Sequence, residues 1–298
     1  MGTLVLPWLV YLGGVVVVVV VVAGLTRPAG GLTLRAMSRV RAALSSLVEA
    51  LGGPLAYLVA LSAGVGATLV ATMAVGLAAR ASRHYDKAMY RWWLHHHSHT
   101  LTAVMRVLTQ LGDSKEMRIA AIVACVALVA LRPRFAWVTI FAIVSVMALE
   151  FELQLILSLA IHRGHPPIGR GTYPSGGVAR LVSLPGVVLL LCARFFEPFS
   201  RRLRTAGWVV VSLLGWTEFF SRLYLGKHYT SDAIGGAVFG ALLVLTVGLA
   251  VSTVIPAPAE RYKSASPHSG EVPVATELEL APLSRTETPS APLGSRTR

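Results

Sequence analysis

Charge is what this sequence has least of. Only 14% of its 298 residues are Asp, Glu, Lys or Arg and 54% are hydrophobic, whereas an ordinary soluble domain is roughly 25% charged. A soluble fold has no way to cover that much apolar surface. The apolar residues run in long uncharged blocks, without the period-2 or period-3.6 alternation of a half-solvated element, as in helices facing lipid. Cysteine is nearly missing too. Cys125 and Cys192 are the only two and both lie inside apolar blocks, which excludes a disulfide framework and a thiolate metal site. There is no internal repeat and no nucleic-acid-binding motif. The formal charge of +13 therefore points to anionic lipid headgroups or phosphorylated substrates, and not to nucleic acid.

What is present is hydrophobic length. Nothing charged occurs from Gly2 to Thr26, a stretch that includes eight consecutive valines, Val15 to Val22. It is long enough to cross roughly 30 Å of hydrocarbon, and without a basic n-region it reads as an uncleaved span, not a signal peptide. Residues 1–26 are thus an N-terminal transmembrane helix and residues 27–49, with Arg27, Arg35, Arg39 and Arg41, a basic cytoplasmic loop. Residues 50–255 form the main membrane domain, with spans expected at 50–79, 119–131, 136–161, 181–193, 205–220 and 233–255, giving seven in all. The blocks at 119–131 and 181–193 are short enough that flanking arginines must snorkel.

Between them, residues 80–118 are a polar, extracytoplasmic segment. There YRWWLHHHSH, Tyr90 to His99, has the composition of a helix at the membrane interface, and its histidines read as interfacial packing, not a metal site. After Pro256 the chain is rich in Pro, Ser, Thr, Ala and Glu, cannot bury a core, and reads as a disordered tail over 256–298. The fold class is an all-α polytopic membrane helix bundle. Lys and Arg are in slight excess on the side that places the N-terminus outside the cytoplasm.

The chemistry concentrates in SRLYLGKHYTSD, Ser221 to Asp232, at the end of one span and the start of the next. His228 and Asp232 are four residues apart and share a face where the chain is helical, so the carboxylate is able to orient the ring. That is the logic of an oriented nucleophile or base. Arg222 offers planar, permanently charged donors suited to phosphate oxygens. On spacing alone a structural ion-pair network fits these residues equally well.

The run SRLYLGKHYTSDAIGG, Ser221 to Gly236, resembles the third signature motif of the type 2 phosphatidic acid phosphatase (PAP2) and haloperoxidase superfamily. Its serine, arginine, histidine and aspartate all stand at the family's spacing. Pro174, Ser175, Gly176 and Gly177 resemble the second motif in three positions of four. In the first motif only Pro166 is kept, with Ser158 where the family has lysine and His165 where it has arginine. The region around Asp86 and LTQLGDS, Leu108 to Ser114, resembles the family's amino-terminal extension. The resemblance covers about residues 84–254 and implies a six-helix core, to which residues 1–26 add one helix. The uncharged blocks exclude the soluble haloperoxidase branch.

The resemblance also implies metal-independent, cofactor-free phosphoryl transfer from a phosphorylated lipid. His228 attacks phosphorus, Asp232 orients it, and water hydrolyses the phosphohistidine. Arg222 and the backbone N–H groups of Ser175, Gly176 and Gly177 hold phosphate oxygens, and the site faces outside the cytoplasm. Gly177 replaces the histidine that protonates the leaving group, which favours a diphosphate substrate whose leaving group is already a phosphate. Arg163 is a candidate to replace a lost phosphate ligand beside Ser158, and His165 a candidate replacement acid. A relative that binds lipid phosphate or a partner protein without turnover is the alternative. Glu150, Glu152 and Glu218, inside apolar blocks, fit either a polar lining beneath the site or protonated or interfacial carboxylates near a span end.

Overall fold

In lipid every backbone polar group must be satisfied within its own segment, so each long uncharged block has to be helical. The structure, a computed structural model, describes residues 2–25, 31–169, 171–196 and 199–255. Among these residues there are ten α-helices and no strand. In order they are α1 (Gly2–Leu25), α2 (Gly31–Leu51), α3 (Gly53–Ala81), α4 (Arg83–His95), α5 (His99–Leu108), α6 (Ser114–Leu131), α7 (Ala136–Ile161), α8 (Gly176–Phe195), α9 (Arg201–Tyr224) and α10 (Thr230–Ser252). All seven expected spans are helical. The expected disordered tail lies outside the described residues.

Two features go beyond the sequence reading. Most of the basic loop expected at 27–49 is helix α2. Its arginines interrupt the hydropathy without interrupting a helix, because Arg and Leu are both good helix formers. Among the described residues four helical stretches are long and apolar enough to cross a membrane by themselves: Gly53–Ala81, Pro133–Ile161, Gly176–Phe195 and Thr230–Ser252. Helix α9 has the length but carries Glu218 and Arg222, both buried against neighbouring helices. Finally, the segment expected to lie at the interface folds as α4 and α5, with Tyr90, Trp93, Leu101 and Met105 buried beneath the rest.

Helices α7, α8 and α10 make the centre, where Val146, Leu153 and Leu157 of α7 meet Leu184 and Leu191 of α8 and Phe239, Leu243 and Val247 of α10. Glycine sets the closest approach. A Cβ on Gly240 would fall 2.7 Å from the carbonyl oxygen of Ala179, and one on Gly236 would overlap that of Ser175. Small residues at these positions let α10 lie against the start of α8 backbone to backbone, and the Ser175 N–H donates to the Asp232 carbonyl at 2.9 Å. The peripheral helix α1 runs antiparallel to α9. Trp216 Nε1 donates to the Tyr11 carbonyl at 3.1 Å, and the Tyr11 and Thr217 hydroxyls are 3.0 Å apart. The start of α1 therefore lies at the same end of the bundle as the end of α9.

At that end Arg180 of α8 ties three elements together. Its Nη1 donates to both carboxylate oxygens of Glu150 on α7, at 3.0 and 3.2 Å, and its Nε donates to the Gly112 carbonyl at 3.0 Å. Glu150 is 2% exposed and the Arg180 side chain 11%. Removing one partner of such a pair strands the other. Glu150→Ala is expected to cost about 3–5 kcal/mol, read as a lower midpoint of thermal unfolding in detergent. Replacing both residues by leucine is expected to cost less than that single change.

Candidate active site

Helices α3, α7 and α9 end, and α6, α8 and α10 begin, at one end of the bundle, with α4 and α5 packed over them. The turn between α9 and α10 is closed by Gly226 at φ +63, a backbone conformation that glycine adopts without strain. There the N–H groups of Lys227 and His228 donate to the Arg222 carbonyl at 2.9 and 3.4 Å. Helix α10 starts with a reciprocal cap in which the Asp232 carboxylate accepts from the Tyr229 N–H at 3.0 Å. This cap carries Asp232 back towards the turn. The same oxygen, Oδ2, lies 3.9 Å from Nδ1 of His228, beyond hydrogen-bond length but within reach of a small ring rotation. Nδ1 is buried without a hydrogen-bond partner, and its other neighbour is Gly171, whose missing side chain makes room for the ring. The imidazole keeps 9% of its side-chain surface. Burial lowers the pKa of His228, with Arg222 and Lys227 pushing the same way and Asp232 opposing, so the ring is held neutral.

Behind Asp232 is a layer that the spacing did not reveal. Arg163 donates from Nη2 to Asp86 at 2.6 Å, from Nη1 to the Ser231 hydroxyl, and faces Asp232 Oδ1 at 3.3 Å. Oδ1 has no aligned hydrogen bond, so this contact is charge pairing alone. Asp86 also accepts from the Ser231 N–H and hydroxyl at 3.0 and 2.6 Å. The Arg163 side chain is 1% exposed and its guanidinium is engaged by these carboxylates and Ser231. Ser158 and His165 remain apart from His228. The Ser158 hydroxyl donates to the Leu155 carbonyl within its own helix at 2.8 Å, and exposed His165 hydrogen-bonds the neighbouring Pro166 carbonyl at 2.9 Å.

Arg222 is buried and already engaged. Its Nε pairs with Glu218 one turn earlier, and its Nη2 donates to Asp113 at 2.7 Å and to the Thr109 carbonyl at 3.2 Å. Asp113 is 45% exposed on its side chain. It stands at the N-cap of α6 but makes no cap bond, because its carboxylate is turned to the arginine. The LTQLGDS segment thus supplies the lid over Arg222. Gly177 lies against the same cluster: a Cβ there would fall 2.6 Å from Arg222 Nη2 and 2.6 Å from Glu218 Oε1. Glu218 occupies the slot that a side chain at 177 would need. At the start of α8 the Ser175 N–H is already committed to Asp232, leaving the N–H groups of Gly176 and Gly177 as the ones facing outward from the helix end.

The histidine-rich run offers no competing centre. His95 and His96 hydrogen-bond the carbonyls of Arg91 and Trp92 at 2.7 Å, and His97 that of Tyr224. Among the described residues no group of three or more His, Cys, Asp or Glu is placed to hold a metal ion.

The three motif segments, scattered over about seventy residues of chain, meet at one end of the bundle, and the stretch that contains them matches a known family model, that of the PAP2 superfamily, over residues 119–255. This stretch is PAP2-superfamily sequence. The PAP2 region holds Ser158, Arg163, His165, Ser175 to Gly177 and the whole Ser221 to Asp232 run. Asp86 and Asp113, which brace Arg163 and Arg222, precede it. Among solved structures the chain is similar to the first transmembrane PAP2-type phosphatidylglycerolphosphate phosphatase from Bacillus subtilis. The match has a TM-score of 0.55 at 20% identity and covers 61% of this chain and 93% of that one. At that identity the likeness is one of fold. No curated protein matches the chain significantly.

Proposed function

We propose that the protein is a membrane-bound lipid phosphate phosphatase or diphosphatase that works through a phosphohistidine at the end of the bundle described above. The observation that carries this reading is a buried His228, with Asp232 behind one ring nitrogen and Arg222 beside it, next to the glycine start of α8. Nε2 attacks phosphorus as the bond to the lipid oxygen breaks, and Asp232 stabilises the cation that the ring becomes. Water then cleaves the P–N bond, releasing phosphate and regenerating the imidazole. The N–H groups of Gly176 and Gly177 and the dipole of α8 favour the phosphoryl oxygens, and such positioning is most of what phosphoryl transfer requires. With Gly177 in place of an acid, leaving groups that need no proton are favoured, as in a lipid diphosphate. The site lies at the same end as the start of α1, which the Lys and Arg distribution places outside the cytoplasm.

Arg163, clamped by Asp86 and Ser231, is a positioning residue for Asp232 in this scheme. His228 attacks as the free base, and burial holds its pKa below the ordinary 6.5. The acid limb of the rate profile is therefore expected below pH 6.5, since protonation removes the nucleophile only as the pH falls through that lowered value. Phosphate release between pH 4 and 8 at lipid well below KM checks this, because kcat/KM reports ionisations of the free protein.

The engagement of Arg222 by Glu218 and Asp113 favours a second reading, in which the site binds an anionic headgroup without turnover. Release of phosphate from a polyprenyl diphosphate and from phosphatidic acid by the detergent-purified protein separates the two. Release from either lipid supports the enzyme, and its absence from both, with the protein folded, supports the binder.

A further inference from the structure

The structure assigns Lys227 as the phosphate-binding cation of this site, in place of the cations absent at Ser158 and His165. The inference rests on the reading of the site as one for phosphorylated lipid, and it concerns a residue whose place next to His228 drew no role from spacing.

Lys227 has its backbone pinned on both sides. Its N–H donates to the Arg222 carbonyl at 2.9 Å, and its own carbonyl accepts from the Gly171 N–H at 3.2 Å. A Cβ at Gly169 would collide with that carbonyl, so Gly169 and Gly171 both sit directly on the turn. The side chain is half-buried, yet among the described residues no carboxylate lies within ion-pair distance of its ammonium. Three other cations described at this end of the bundle are paired: Arg163 with Asp86 and Asp232, Arg180 with Glu150, and Arg222 with Asp113 and Glu218.

A half-buried ammonium with no carboxylate in contact, next to an arginine, gains when an anion arrives. Burial, followed by the charge of Arg222, lowers its pKa, with the more distant Asp113 and Glu218 opposing, and its own charge is felt at His228. Phosphoryl oxygens approaching Nε2 of His228 satisfy that ammonium without first displacing a protein carboxylate. A charge-assisted hydrogen bond to phosphate is worth about 1.5–3 kcal/mol, or roughly 10- to 100-fold in affinity.

The test is direct binding of inorganic phosphate and of pyrophosphate to the full-length protein in detergent, followed by calorimetry. Lys227→Met is expected to weaken binding roughly 10-fold or more, and Lys227→Arg to retain most of it, with the thermal midpoint of the unliganded protein unchanged in both. If lipid is turned over, Lys227→Met raises KM more than it lowers kcat. Wild-type affinity in Lys227→Met, or no binding of either anion by the wild type, overturns the assignment. Should the methionine variant unfold, Lys227→Gln carries the same comparison. Failure of the phosphatase reading itself is separately visible: a protein that releases no phosphate from lipid but binds pyrophosphate through Lys227 loses the reaction and keeps the subsite.

Discussion

His228→Ala is expected to reduce phosphate release from lipid by at least about 10⁴-fold, the scale on which covalent nucleophiles matter. The size of the effect follows from the surroundings of the ring. No other nucleophile stands near: His165 is exposed and bonded to its own loop, and the Ser175 hydroxyl is buried without a hydrogen-bond partner beneath α10. The substitution leaves the fold intact, because the imidazole makes no side-chain hydrogen bond and α10 is capped by Asp232 on Tyr229. The measurement is single-turnover release from a polyprenyl diphosphate with wild type and variant at equal loading, with thermal midpoints as the control. A variant that is folded and fully active would refute the phosphohistidine scheme. Asp232→Asn gives a different signature, since it removes the counter-charge of Arg163 and leaves only a neutral acceptor for the Tyr229 N–H, and is expected to lose stability as well as rate.

The second large effect is expected at Gly177, where the sequence departs from the second PAP2 motif it resembles. Either Gly177→Ala or the histidine of Gly177→His adds a Cβ 2.6 Å from both Arg222 and Glu218, closer than real Cβ atoms approach. Overpacking of this kind costs about 1–3 kcal/mol, and more if the buried Glu218–Arg222 pair is forced apart. Gly177→His is therefore expected to lower the thermal midpoint and to gain no activity. Glu218→Gly in the same chain empties the slot while Arg222 keeps Asp113, so the double variant is expected to be more stable than the sum of the two single changes. Thermal unfolding of the four proteins of this cycle measures the coupling. Simple additivity would mean that Glu218 does not fill the space left by the missing side chain.

Much of this architecture is legible in the residues alone. Uncharged runs such as Gly2 to Thr26 and Ala233 to Ile255 have to be helical in lipid, whatever surrounds them. The Ser221 to Asp232 spacing places a histidine and an acid one turn apart at the mouth of a helix. Helix α2 and the polar helix α9 were less legible, because an arginine counts against hydropathy whether it faces water, headgroups or a carboxylate on the next helix.

The sequence by itself determined the helical class, the end of the bundle at which the motifs gather, and the residue types available there. Tertiary structure decided what those residues do to one another: Arg163 turned inward onto Asp86, Arg222 bridged to Asp113 and Glu218, the Ser175 N–H given to Asp232, and Lys227 left with no carboxylate in contact. Helix formation depends on neighbours a few positions away along the chain. The pairing of a buried charge depends on which helix comes to lie alongside, and in this protein the partners stand as many as 145 residues apart.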